Sequence, residues 1–180
     1  FVNVSLGGKC FIGKKFCIRT GLQNSEVGLV GTRILVGRSG VLKIGDNVGM
    51  SNATIVAQES ITIGDNVMIG GGVQIFDTNF HSTDASVRAK GKEIPDDVKK
   101  KPVVIGNNVG TGYNVTILKG VTIGDNCFIA ANSLVTKDVP SNVIIGGQPA
   151  RILCTLEEYY TKRKSQCITE ALEYARSIKE

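Results

Sequence analysis

The chain has 180 residues, a net charge of +5, 22 glycines against four prolines, and a single histidine. That length suits one domain, no stretch approaches the 18 apolar residues of a membrane span, and no aromatic-basic motif of the nucleic-acid-binding kind accompanies the charges. The five cysteines (Cys10, Cys17, Cys127, Cys154, Cys167) are odd in number, dispersed and free of any CxxC pair; this argues against a disulfide framework or zinc cluster, so no metal and a reducing cytoplasm are expected, with no signal peptide in view.

Residues 1–35 carry the faintest pattern. Ile12 and Ile18 stand six apart, and Val30-Gly31 and Val36-Gly37 repeat that step. They read as early turns of a repeat with imperfect corners, an irregular cap being the alternative. Beyond residue 36 the period is plain. Tetrapeptides IGDN, IGDN, IGNN and IGDN begin at Ile44, Ile63, Ile105 and Ile123. The last two are 18 residues apart, which is three hexads; the first two are 19 apart, one turn plus a bulged residue. Six matches neither the helical period of 3.6 nor the strand period of two. It fits a coil with three flat sides, one hexad per side, an aliphatic residue of each hexad pointing to the axis. Stacked coils form a solenoid in which each turn buries its apolar row only against its neighbours.

Within a hexad, the residue four places after Ile is small or β-branched: Val48, Val67, Val109 and Cys127. These make a second inward position beside a tight corner. Gly-Asp-Asn and Gly-Asn-Asn suit the corners, because Gly and Asn tolerate positive φ. The Val, Ile and Thr between them favour strands.

From Ile63 to Ile105 is 42 residues, one turn plus 24. The hexads at Ile63, Ile69 and Ile75 run into irregular sequence at Asp77, so a loop of about two dozen residues, 77–101, is inserted into one coil. It carries Lys90, Lys92, Lys99, Lys100 and Lys101, which suit solvation or an anionic ligand equally. It also carries His81, in DTNFHSTD. Loops this long in compact domains are usually functional or disordered, and imidazole is well matched to proton transfer near neutral pH. His81, with polar neighbours Asp77, Asn79, Thr83 and Asp84, is therefore the candidate general base.

The regular pattern returns at Val103. Ile105, Ile117, Ile123 and Ile129 fall on one six-residue grid, with Thr111 and Val135 on its other slots. It ends in VTKDVPSNVIIGGQPARIL (135–153). At Thr155 the character changes: Thr155 and Glu158 form a capping box, and Ile168, Ala171, Leu172, Ala175 and Ile178 keep helical spacing. The organisation is thus a β-helix domain, 1–154, and a helical tail, 155–180, able to cover the open end of the solenoid or pack on a neighbouring subunit.

Over about 36–153 the chain resembles the hexapeptide-repeat acyltransferases. The resemblance implies an all-β solenoid, a left-handed parallel β-helix of three-sided coils. The hand is not readable from spacing and runs against the usual right-handed crossover. In the sugar O-acetyltransferase branch an extended loop carries a catalytic His, often with an Arg seven residues on, as His81 and Arg88 stand here. Asn52-Ala53-Thr54-Ile55-Val56 is similar to a segment near the family's acceptor pocket, so the resemblance implies acceptor binding by Asn52, with Asp84 and Arg88 of the loop, although a plain corner asparagine suits Asn52 nearly as well. The VTKDVP…GQPAR signature implies Lys137 and Arg151 near the phosphates of coenzyme A, with Tyr113, Ala131 and Thr136 along its pantetheine channel. One departure stands out: where the family commonly has Trp after IGNNV, this chain has Gly110, and it has no Trp at all. Loss of that flat wall implies either a wider cleft or its partial replacement by Tyr113.

The resemblance further implies a homotrimer with sites between subunits, and acetyl-CoA-dependent transfer to a hydroxyl of a sugar or surface-polysaccharide precursor. Xenobiotic acetyltransferases of the streptogramin or chloramphenicol kind and amino-sugar N-acetyltransferases share the solenoid and the loop His, and stay open. The related carbonic anhydrase needs three histidines for zinc. A non-catalytic scaffold has no need of His81 on an insertion.

Overall fold

The computed structural model describes residues 2–19, 31–91, 94 and 97–177, with backbone alone at Val2, Arg19 and 171–177. Val30, Lys92 and Ile178, and the side chains of Ala171, Leu172 and Ala175, lie outside the described residues.

Coils are three-sided from the start. The first consists of β1 (Val2–Leu6), β2 (Lys9–Ile12) and β3 (Cys17–Arg19). The second is β4 (Thr32–Val36), β5 (Val41–Ile44) and β6 (Gly49–Ser51). The third is β7 (Thr54–Ala57), β8 (Ser60–Ile63) and β9 (Met68–Ile69). The fourth has β10 (Gln74–Phe76), then the inserted loop with a short helix α1 (Ala85–Ala89), then β11 (Val103–Ile105) and β12 (Gly110–Thr111). The fifth is β13 (Thr116–Ile117), β14 (Thr122–Ile123) and β15 (Phe128–Ile129). The last turn holds β16 (Leu134–Val135) and β17 (Val143–Gly147); β18 (Ala150–Thr155) folds back antiparallel on β17, and α2 (Leu156–Ser177) follows.

Equivalent strands pair in parallel. Sheet A is β1-β4-β7-β10-β13-β16, sheet B is β2-β5-β8-β11-β14, and sheet C is β3-β6-β9-β12-β15-β17-β18. The register follows the repeat, with Ile44 beside Ile63, Ile63 beside Ile105 and Ile105 beside Ile123. Residues 2–19 therefore form the three sides of a coil rather than an irregular cap, and residues 20–30 lie outside the described residues.

The prism is filled by the aliphatic rows that the sequence sets inward. Ile55, Ile61, Ile75, Ile117 and Ile129 are fully buried, as are Val67 and Val115, and Cys127 is buried among them. The core runs open at its first turn. Val4, Leu6 and Ile12 face inward beside the buried Ile34, Val36 and Ile44, yet each is about half exposed because no described coil lies above them.

The B/C corners repeat one device. Asn47, Asn66, Asn108, Asn126 and Asn142 all take the left-handed region, with φ between 55° and 64°. Their amides form a ladder along the edge: each Nδ2 donates to the next Oδ1 at 2.9–3.1 Å, from Asn47 down to Asn142. Beside it, Asp65 accepts from the Asp46 N–H at 2.7 Å and Asp125 from the Asn107 N–H at 2.6 Å. The G-D-N tetrapeptide thus satisfies corner backbone groups that the strands leave unpaired.

At the far end the capping box closes as its spacing requires. The Glu158 carboxylate accepts from the Thr155 N–H at 2.8 Å, and the Glu158 N–H donates to Thr155 Oγ1 at 3.1 Å. The helix then departs from the expected role of cover: every side chain from Glu157 to Glu170 is exposed, so this stretch buries nothing against its own coil. No described helix is long and apolar enough to cross a membrane.

Candidate active site

The inserted loop is stitched to the prism at both ends. Asp77, fully buried, leaves the A/B edge directly after β10. Its carboxylate accepts from the backbone N–H groups of Gln58 and Glu59 in the preceding coil, both at 2.8 Å. Its carbonyl accepts from the Lys101 N–H at 2.9 Å, the Asn79 N–H donates to the Lys99 carbonyl at 3.0 Å, and Thr78 bridges Lys100. A short antiparallel stem therefore closes the insertion. Burial pushes the Asp77 carboxyl above its ordinary value, although the Gln58 and Glu59 N–H bonds pull the other way. The folded chain then keeps a proton that the unfolded chain has already released. Stability contributed by this group is full below the ordinary carboxylate pKa and lost as pH rises through the higher folded value. Asp77→Asn should flatten that slope in urea melts at pH values just above the ordinary carboxylate pKa; an unaltered slope would assign it to another group.

His81 is exposed at the tip of this stem, and the residues around it hold one another. Ser82 is buried, and its hydroxyl accepts from the Asp84 N–H at 3.1 Å. Asp84 is the N-cap of α1, its Oδ1 accepting from the Ser86 N–H at 2.7 Å, and the bonds from Ser86 hold its carboxyl below the usual range. Arg88 Nη1 donates to the Ser82 carbonyl at 2.7 Å. Asp84 and Arg88, expected at the acceptor, thus shape the turn that follows His81.

The other expected residues fall on two edges of the prism, with sheet A between them. Asn52, Tyr113 and Ala131 stand on the C/A edge, in line with the axis. The Asn52 carbonyl accepts from the Gly72 N–H at 3.1 Å, and the Tyr113 carbonyl from the Asn132 N–H at 2.8 Å. Arg151 lies on β18 opposite Gly146, beside the hairpin turn on this same edge. Thr136 and Lys137 follow β16 and so lie on the A/B edge, where the His81 loop departs. Lys137 and Arg151, expected together on one set of phosphates, are therefore on opposite sides of sheet A within one chain.

Lys101, among the loop lysines suited to an anionic ligand, and Lys119, not singled out by the sequence, join the A/B edge. Lys101, Lys119 and Lys137 are 18 residues apart and occupy the same corner of successive coils. Coils stack at roughly 4.8 Å, so these ammonium groups form a short basic column running away from the loop. The 18-residue spacing is legible in the sequence once the period is known.

The missing Trp has a structural counterpart. A side chain at Gly110 would meet the Phe128 ring of the next coil at 2.9 Å, so Phe128 covers the spot where the family's Trp would stand. The Tyr113 ring instead lies back against Gly71 and Gly72, each about 3.3 Å from the position of a Cβ. Cys127 takes no part: its thiol donates to the Pro140 carbonyl at 3.1 Å, and burial raises its pKa. Among the described residues no group of three or more His, Cys, Asp or Glu could hold a metal ion.

Residues 102–137 match the family described as bacterial transferase hexapeptide (six repeats). Over 80% of its length the chain is 36% identical to the putative lipopolysaccharide biosynthesis O-acetyl transferase WbbJ of Escherichia coli K12, covering 74% of that protein. The chain belongs to the hexapeptide-repeat acyltransferase family. Its fold is accordingly the left-handed parallel β-helix that the resemblance implied. A second relative, the galactoside O-acetyltransferase of E. coli K12, is 42% identical over 62% of this chain and 54% of its own. The chain thus spans about half the length of that curated relative. Among solved structures, a hexapeptide-repeat-containing acetyltransferase from Vibrio cholerae superposes with a TM-score of 0.64 at 35% identity, covering 81% of this chain and 73% of its own. A galactoside acetyltransferase in complex with coenzyme A superposes at 0.54 with 33% identity, covering 78% and 65%.

Proposed function

We propose that this protein is an acetyl-CoA-dependent O-acetyltransferase acting on a hydroxyl of a sugar or surface-polysaccharide precursor. The observation that carries the reading is the sole histidine on an anchored insertion, leaving the same prism edge as the Lys101–Lys119–Lys137 column. Family membership and the relatives bound to coenzyme A or acetyl coenzyme A support the donor; the galactoside and lipopolysaccharide enzymes support the acceptor class.

In this reading His81 is the general base. Its imidazole takes the proton of the acceptor hydroxyl as that oxygen attacks the thioester carbonyl carbon. Backbone N–H groups at the coil corners stabilise the tetrahedral oxyanion. The carbon–sulfur bond then breaks, and the imidazolium returns the proton to the departing thiolate, leaving an acetyl ester and free coenzyme A. No covalent acyl-enzyme is needed. Lys137, with Lys119 and Lys101, meets the phosphates as point charges, and Arg151 offers a planar fork.

The two-edge arrangement supports a homotrimer. With sheet A turned to a three-fold axis, the A/B edge of one copy faces the C/A edge of the next. His81 and Lys137 of one subunit then meet Asn52, Tyr113 and Arg151 of its neighbour. Light scattering should give three copies. Mixing His81→Ala with Arg151→Ala chains should, at acetyl-CoA below KM, give a rate above the sum of the two alone, since one interface in a mixed trimer is intact; a monomer, or mixtures no faster than that sum, would remove this arrangement.

The function is tested by incubating the protein with acetyl-CoA and a panel of mono- and oligosaccharides, following thiol release and the acetylated product by mass spectrometry. Lys119→Ala and Lys137→Ala should each raise KM for acetyl-CoA by roughly three- to tenfold, in line with about 0.5–1.5 kcal/mol for a partly exposed charge-assisted contact, and the effect should shrink at high salt. A KM indifferent to both would place the phosphates elsewhere.

A further inference from the structure

The residue directly before His81 has a backbone that its side chain disfavours. Phe80 has φ of 64°, in the left-handed region. Ten non-glycine residues take positive φ among those described, and eight of them are asparagines. Phe80 is the one aromatic residue of the ten, and it precedes the chain's only histidine. A bulky residue in this region is an outlier, held there only when its surroundings over-determine it.

Those surroundings are specific. The Phe80 N–H donates to Thr78 Oγ1 at 3.1 Å, which tightens the turn. The Phe80 ring packs edge-on against Phe76, with centroids 5.0 Å apart and planes at 79°. Phe76 ends β10, in register beside Val56, whose outward side chain is only 8% exposed. The ring before His81, 48% exposed, therefore rests one edge on Phe76 at the face of sheet A, while its backbone is held by the turn at Thr78. A glycine here would relieve the backbone and release the ring.

We infer that Phe80 is a positioning residue for His81: its left-handed backbone and its edge-on seat against Phe76 together set where the imidazole leaves the loop. The inference rests on the reading of His81 as the base, and concerns how that base is aimed. A bound geometry displaced by about 1 Å can lower a rate by 10²-fold, so the anchoring carries into kcat.

The single histidine makes the test direct, because protein labelled with ¹³C and ¹⁵N histidine gives one imidazole. Relaxation of its Cε1–H is compared in the unchanged chain, Phe80→Ala, Phe80→Gly, Phe76→Ala and Phe80→Tyr. The first three substitutions should loosen the imidazole and lower kcat roughly ten- to a hundredfold, with KM for acetyl-CoA unaltered. Phe80→Gly should do so while melting no lower than the unchanged chain, which separates aim from stability. Phe80→Tyr keeps the ring and should restore both readouts. An imidazole equally ordered in Phe80→Ala, or one that loosens while kcat stays put, overturns the inference. Full turnover by His81→Ala would instead sink the base reading, and the relaxation comparison would still decide whether Phe80 holds the imidazole.

Discussion

His81→Ala is expected to lower kcat by about 10²–10⁴-fold, the usual worth of a positioned general base, while coenzyme A binds as before. The two effects separate because the residues assigned to the donor lie on the coil edges and those coils do not depend on the loop tip. Lys119 and Lys137 follow β13 and β16, and Tyr113 and Ala131 stand on the corners after β12 and β15. The stem that carries His81 is held by Asp77, Lys99 and Lys101, all of which survive the change. Calorimetry with coenzyme A measures the binding arm and thiol release with the best acceptor the chemical arm. Wild-type turnover in His81→Ala would end the proposed mechanism. Lost binding together with lost turnover would show the loop to be part of the donor site.

Ile117→Ala should destabilise the fold by about 2–5 kcal/mol, the range for Ile→Ala in a packed core. Ile117 is fully buried, paired with Ile75 on one side and Val135 on the other, so the cavity would open between two coils that cannot close over it. The same change at Ile12 should cost far less, below about 1.5 kcal/mol, since Ile12 faces the same axis but is half exposed on the first turn. Chemical denaturation of both variants measures the difference. Equal losses would mean that the first turn is covered in solution by something that completes the core there.

Much of the architecture is legible from a period of six. Ile44, Ile63, Ile105 and Ile123 stack as their spacing requires, and the surplus of 24 residues between the middle pair emerges as the loop that carries His81. The capping box at Thr155 and Glu158 is local chemistry and forms as written. The tail is different. Its helical spacing gives the element but not its partner, because an amphipathic stripe states only that something apolar should meet it. Here Glu157–Glu170 meet none of the chain's own coils.

The site divides along the same line. By itself the sequence determined a three-sided coil, its inward rows, its asparagine corners and the one histidine set on an interruption, because these follow from residue type and spacing along a single turn. Only the tertiary structure decided which edge each residue occupies: Lys137 with the loop, Arg151 across sheet A from it. It alone turned Arg88 onto the Ser82 carbonyl, laid Phe128 over Gly110 and drove Phe80 into a left-handed backbone against Phe76. The reason is physical. A repeat sets what each turn looks like, whereas these contacts join one coil to the next, or a loop to a sheet face, and their energy exists only once the coils are stacked.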